Sequence, residues 1–204
     1  MKKTTKIICC WLVTLFSLQT AQCQILDSLA LNKEPVYYSF EQTDTIAKTS
    51  VYRLHFKHKL PENFNTKITE YPHLQELTLT GMRLKEIPPI VYSLSSLTRL
   101  NVSNNKIEEI SSDIAQLTHL EELIINRNYL YQLPKEVATL KDLRYIDMWS
   151  TNVIELPEEI ANLENSIQII DLRAVRMSEV RQNTMQNLLP KTKFYFSPYC
   201  NCKL

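Results

Sequence analysis

Leu97 to His119 reads LTRLNVSNNKIEEISSDIAQLTH. Its apolar residues fall at Leu97, Leu100 and Val102, then, past the pair Asn104-Asn105, at Ile107, Ile110, Ile114 and Leu117. The same pattern recurs on both sides. First positions are Val51, Leu74, Leu97, Leu120, Leu143 and Ile167, with spacings of 23, 23, 23, 23 and 24 residues. A fixed period of this size means stacked structural units, each burying its apolar face against the next.

Within each unit two apolar residues stand one apart: Leu54/Phe56, Leu77/Leu79, Leu100/Val102, Leu123/Ile125, Ile146/Met148 and Ile170/Leu172. That alternation predicts a short strand with one face inward and the other in solvent. Successive strands then lie parallel, about 4.8 Å apart. The turn position holds Met82, Asn105, Asn128, Thr151 and Val175. Buried Asn105 and Asn128 amides would satisfy backbone groups where the chain leaves the strand. The returning limb reads LPKEVATL from Leu133 to Leu140 and LPEEIANL from Leu156 to Leu163, with IPPIVYSL and ISSDIAQL as variants. Pro88, Pro134 and Pro157 suit the first turn of a short helix.

These residues resemble the leucine-rich repeat family, and the L-P-x-x-I-x-x-L limbs resemble its 23-residue subclass in small exported bacterial proteins. The resemblance covers about residues 37–197. It implies an α/β solenoid: a right-handed arc with a parallel concave β-sheet of about six or seven short strands and short convex helices. It also implies a non-enzymatic binding module whose contacts sit on the concave face.

The ends depart from the pattern. Lys2, Lys3 and Lys6 precede an apolar run from Ile7 to Leu18, followed by Thr20 and Ala21. A run this short falls below the roughly 20 residues of a membrane helix and reads as a secretory signal peptide over 1–23. Cleavage falls after Ala21 or Cys23. Lipidation of Cys23 is the anchored alternative, disfavoured by Gln22 where bacterial lipoproteins carry a small residue. Residues 24–50 form a polar lead-in and a short helical cap over 37–49. The repeats span 51–189. Residues 190–204 supply a capping strand, Lys191 to Ser197, and a tail. Met185, Leu188 and Leu189 predict a closing helix before it.

Charge excludes a strong nucleic-acid field. The whole chain is at +1; without Lys2, Lys3 and Lys6, 20 Lys and Arg face 22 Asp and Glu, giving −2. No second apolar run predicts a transmembrane span. Cys9 and Cys10 leave with the signal, and Cys200-x-Cys202 is too close for an unstrained internal disulfide. No motif calls for a cofactor, and no spacing places the ligands of a metal.

The concave columns locate the candidate site. Residues before the first core position are Arg53, Glu76, Arg99, Glu122, Tyr145 and Ile169; those between the two are His55, Thr78, Asn101, Ile124, Asp147, Asp171 and Tyr195. Residues after the second are Lys57, Thr80, Ser103, Asn126, Trp149, Arg173 and Ser197. Ile124, Arg127, Tyr145, Asp147, Trp149, Asp171 and Arg173 gather toward the C-terminal half. Aromatic and Arg side chains on a platform are what binding hot spots are made of. The expected partner is a protein, with a glycan as the other option. Asp147 and Asp171, as neighbouring carboxylates, are the pair a hydrolase would use. An open sheet offers them no water-excluded pocket, and Arg127 and Arg173 are placed to neutralise them. Arg53, His55, Lys57, His58 and Lys59 make a basic run that Glu62 and Glu76 can balance.

Overall fold

The computed structural model describes residues 25–198. The signal segment, Cys23, Cys200 and Cys202 lie outside them. Eight parallel strands form one open sheet in strict chain order. They are β1 (Val36–Tyr37), β2 (Arg53–Lys57), β3 (Glu76–Thr80), β4 (Arg99–Asn101), β5 (Glu122–Ile124), β6 (Tyr145–Asp147), β7 (Ile169–Leu172) and β8 (Lys193–Phe196). Parallel neighbours need a crossover of about a dozen residues or more, which each repeat's limb provides.

Register follows the repeat. Leu54, Leu77, Leu100, Leu123, Ile146, Ile170 and Phe194 pair in sequence. All but Phe194 are wholly buried. Burying a Leu or Ile completely stabilises by about 1.5–3 kcal/mol, so this column and its partner beginning at Phe56 hold the arc together. Phe194 and Phe196 stack ring on ring at 5.1 Å and close the C-terminal end, half-buried against the core.

Asn105 and Asn128 hydrogen-bond the backbone where the chain leaves the strand. The Asn105 amide donates to the carbonyls of Leu79 (2.7 Å), Val102 (2.9 Å) and Ser103 (3.2 Å), and its Oδ1 accepts from Met82 (2.9 Å) and Leu84 (3.2 Å). Asn128 repeats this one unit later. The residue just before each turn position has positive φ: Gly81, Asn104, Arg127, Ser150 and Ala174 lie between 52° and 70°. Only the first is the residue for which that region carries no steric cost.

The ends differ most from expectation. The helix expected over 37–49 is replaced by β1 and two 3₁₀ turns, Glu41–Thr43 and Lys48–Ser50. Thr43, Thr45, Ile46 and Thr49 are β-branched and disfavour a helix. Phe40 instead enters the core, 5.8 Å from the Tyr71 ring and 5.0 Å from Phe56. The lead-in is ordered too. A single helical turn, α1 (Ser28–Leu31), is capped by Asp27, whose Oδ1 accepts from the Ala30 N–H at 2.8 Å. Leu31 is buried.

The convex limbs are 3₁₀ turns: Pro89–Ser93, Ser112–Gln116, Lys135–Thr139 and Glu158–Leu163. The tighter 3₁₀ spiral rises about 2.0 Å per residue, so five or six residues cross the limb. Pro88, Pro134 and Pro157 stand one residue earlier than expected, as caps with extended ψ. The first repeat has an α turn there instead, α2 (Phe64–Lys67), and the last has a longer α-helix. The closing helix α3 (Glu179–Leu188) buries Met185, and Leu189 follows it into the core.

Candidate binding face

The N-terminal half of the concave face is closed by its own contacts. Glu76 sits at its centre and is only 7% exposed. It takes two bonds from Arg53, Nε to Oε2 at 2.9 Å and Nη2 to Oε1 at 3.0 Å, and a contact from Arg99 at 3.4 Å. The His55 ring adds a short hydrogen bond. Arg99 also reaches Glu122 at 3.2 Å. Because Arg53, Glu76, Arg99 and Glu122 face one another across adjacent strands, their signs alternate along the column. The lead-in then lies against these arginines. Arg53 donates to the Glu34 carbonyl at 3.1 Å, and Arg99 donates to Asn32 Oδ1 at 2.5 Å and to the Ser28 hydroxyl. Within the basic run, Arg53 and His55 are therefore paired with Glu76, and Lys59 with Glu62 at 3.3 Å.

Burial alone would push the Glu76 carboxyl up. Hydrogen bonds from His55 and Arg53, and their charges, overcome it and hold the pKa at about 2. A carboxylate depressed in the folded state contributes stability above its ordinary value of 4.5, and that contribution fades as pH falls from 4.5 toward 2. Glu76→Gln is expected to cost about 2 kcal/mol at pH 7, below the full price of an orphaned buried partner because Gln keeps some bonds. Urea melts at pH 7, 4 and 2.5 check this. The gap between wild type and variant should narrow steadily downward; a constant gap would mean that charge is not the cause.

In the C-terminal half the two aspartates serve the strand ends. Asp147 Oδ1 accepts from the Trp149 N–H at 3.0 Å, and Oδ2 accepts from Asn126 at 2.5 Å. Asp171 is buried, accepts from the Arg173 N–H at 3.0 Å, and is clamped by the same residue's guanidinium at 2.6–3.1 Å. Asn101 makes the equivalent bond to Ser103 at 3.0 Å. A side-chain oxygen bonding the N–H two residues on is a local turn device of Asx residues. The pair thus carries structural duties, and the geometry lends the hydrolase reading no support. Asp171 presents almost no surface to a partner.

Above these aspartates lie the aromatics. The Arg127 guanidinium sits 4.5 Å from the Trp149 ring centre; Arg173 and Lys193 lie over Tyr195 at 5.6 and 4.6 Å. Arg127 does not neutralise the aspartates: it occupies the left-handed turn at φ 52°, outside the strand, and turns back over Trp149. Tyr145 and Ile124 are half-buried beside them. Burial pushes the Tyr145 phenol up to about 12, helped by the charges of Asp147 and Asp171, so it stays a neutral donor. Tyr195, 37% exposed, belongs to this platform. The sequence places it in the column, but only the β7–β8 register, Asp171 opposite Tyr195, brings it beside the others.

Among the described residues, no cluster of three or more His, Cys, Asp or Glu side chains is arranged to hold a metal, and no helix is long and apolar enough to cross a membrane.

The register, the asparagine turns and the convex limbs define a class, the solenoid of short strands, and comparison gives its family. Residues 72–130 match the family model for leucine rich repeats, so the chain carries leucine-rich repeats over that stretch. Solved structures that share the fold include the following three. An LRR protein of Leptospira interrogans is 22% identical with a TM-score of 0.64, over 81% of this chain and 49% of that one. The LRR ectodomain of the Arabidopsis thaliana membrane receptor kinase GASSHO1, solved in complex with Casparian strip integrity factor 2, is 24% identical with a TM-score of 0.55, over 71% and 18%. Listeria monocytogenes InlP is 20% identical with a TM-score of 0.53, over 73% and 38%. The chain therefore spans half or less of the length of each. A comparison with curated proteins finds no match.

Proposed function

We propose that the protein is an exported binding module of the 23-residue subclass, and that a protein partner docks on the C-terminal half of its concave face. The observation that carries the reading is the pair of cation-on-ring contacts, Arg127 with Trp149 and Arg173 with Tyr195. They lie where the face is open, whereas the other half is occupied by the chain's own lead-in. Ile124, Tyr145 and Trp149 supply apolar area, and Asp147 and Asp171 hold the strand ends rigid beneath them. A preformed surface loses little entropy on docking. Export rests on the 1–23 segment, and the bacterial neighbours and plant ectodomain are consistent with it.

The test is affinity capture with the mature chain beside a Trp149→Ala/Tyr145→Ala double variant. Two central aromatic anchors of 2 kcal/mol each would weaken binding by about a thousandfold. A partner retained equally by both proteins would exclude this face.

A further inference from the structure

Beside the concave face, on the side where the strands turn into the loops, runs a groove of about 740 Å³. Tyr129, Tyr131 and Ile154 line it, at 51%, 62% and 36% exposure. They come from adjacent repeats, two residues from the fourth and one from the fifth, so the backbone stacking fixes their spacing. Side chains of this kind in one place are more than scattered surface apolar residues: three of the seven large exposed hydrophobic side chains among the described residues lie here.

The groove also has a charge of one sign. Arg127 and Arg176 line it and no acidic residue does. Neither has a carboxylate partner among the described residues, although nearby Arg173 and Arg181 are paired, with Asp171 at 2.6 Å and Glu155 at 3.8 Å. The fold supplies an acid for each of those two. Here it leaves two arginines open at the rim of an aromatic groove. Arg127 is further held in place by stacking on Trp149, so its charge is presented at a low entropic cost to a ligand.

We propose that this groove docks an acidic peptide segment carrying an apolar anchor side chain. The anchor lies against Ile154 and the tyrosine rings. Flanking carboxylates meet Arg127 and Arg176, whose planar guanidinium groups suit bidentate carboxylate binding. Ile154 favours a peptide over a uronate-bearing glycan: an aliphatic floor fits an aliphatic or aromatic side chain, whereas a sugar ring needs only the tyrosine faces. This site shares Arg127 with the concave platform, but its anchor residues Tyr129, Tyr131 and Ile154 and its second cation Arg176 lie outside that platform.

The test uses fluorescence anisotropy of a fluorescein-labelled random copolymer of glutamate and tyrosine, with labelled polygalacturonate as the glycan probe. Wild type should bind the copolymer more tightly than polygalacturonate. Arg176→Glu should weaken copolymer binding at least tenfold, and Tyr131→Ala at least threefold. Both positions are exposed, so both variants should keep the wild-type circular dichroism and melting point. Arg144→Glu, the same charge change at the opposite edge of the strands, should alter binding less than twofold. The proposal is overturned by any of three results: no copolymer binding by wild type, an equal loss in Arg144→Glu, or tighter polygalacturonate binding that disappears in the groove variants.

Discussion

Phe40→Ala is expected to destabilise the protein by about 4 kcal/mol, within the range for emptying a buried aromatic site. Phe40 is 1% exposed. Its ring stacks on Tyr71 with the planes 13° apart, and contacts Phe56 at 5.0 Å and Phe64 at 6.4 Å. The Tyr71 hydroxyl bonds Thr43 Oγ1 at 2.7 Å, and Thr43 in turn bonds the Phe40 carbonyl at 2.7 Å. Losing the ring therefore loosens a polar chain as well as a packed one. For a chain of this size each kcal/mol lowers the melting point by about 2–4 °C, so a drop of about 12 °C is expected. Hydrogen exchange should show the Leu26 N–H, which bonds Gln75 Oε1 at 3.0 Å, losing protection with it. A loss under 1 kcal/mol would mean that the lead-in is not part of the cooperative unit.

Asn128→Ala is expected to cost about 3–4 kcal/mol without removing any apolar contact. The Asn128 amide donates to the carbonyls of Ile125 (2.9 Å), Val102 (3.0 Å) and Asn126 (3.2 Å), and its Oδ1 accepts from Ile107 N–H at 3.0 Å. Alanine strands those groups inside, each at about 1–3 kcal/mol where no water enters. Thr151 holds the same position one repeat on and makes a single bond there, to the Met148 carbonyl at 2.8 Å, so Thr151→Ala should cost only about 1 kcal/mol. Chemical denaturation of the two variants side by side measures the contrast. Equal losses would show that the position matters for its shape and not for its bonds.

What the sequence reveals of this fold is what repeats. Leu54 to Ile170 and their neighbours announce strand, register and interior because every unit must present the same apolar edge to the next. The asparagine turns are legible for the same reason. The lead-in is not legible: β1 has two residues, and Phe40 is indistinguishable from a surface aromatic until Tyr71, thirty-one residues away, is placed under it. On the concave face the columns predict which side chains share a surface. They do not predict direction. Asp171 turns down to its own backbone, and Arg127 leaves the strand through a left-handed turn before returning over Trp149. Those outcomes depend on local φ and on side-chain hydrogen bonds that no period encodes. The loop-side groove is not legible because Tyr129, Tyr131 and Ile154 fall outside the concave columns.

The interior of a solenoid does not count. Leu54 would pack against Leu100 about as well as against Leu77, so a chain that looped out one whole repeat would still bury its leucines. Closing a loop of that length adds only a modest entropic cost. The charged column has a period of two repeats where the core has a period of one. Omitting the unit of Glu76 would set Arg53 beside Arg99, and omitting the unit of Arg99 would set Glu76 beside Glu122; like charges directly across strands are destabilising. The alternation of signs thus penalises the loss of either single inner unit, a loss that the hydrophobic residues alone would accept.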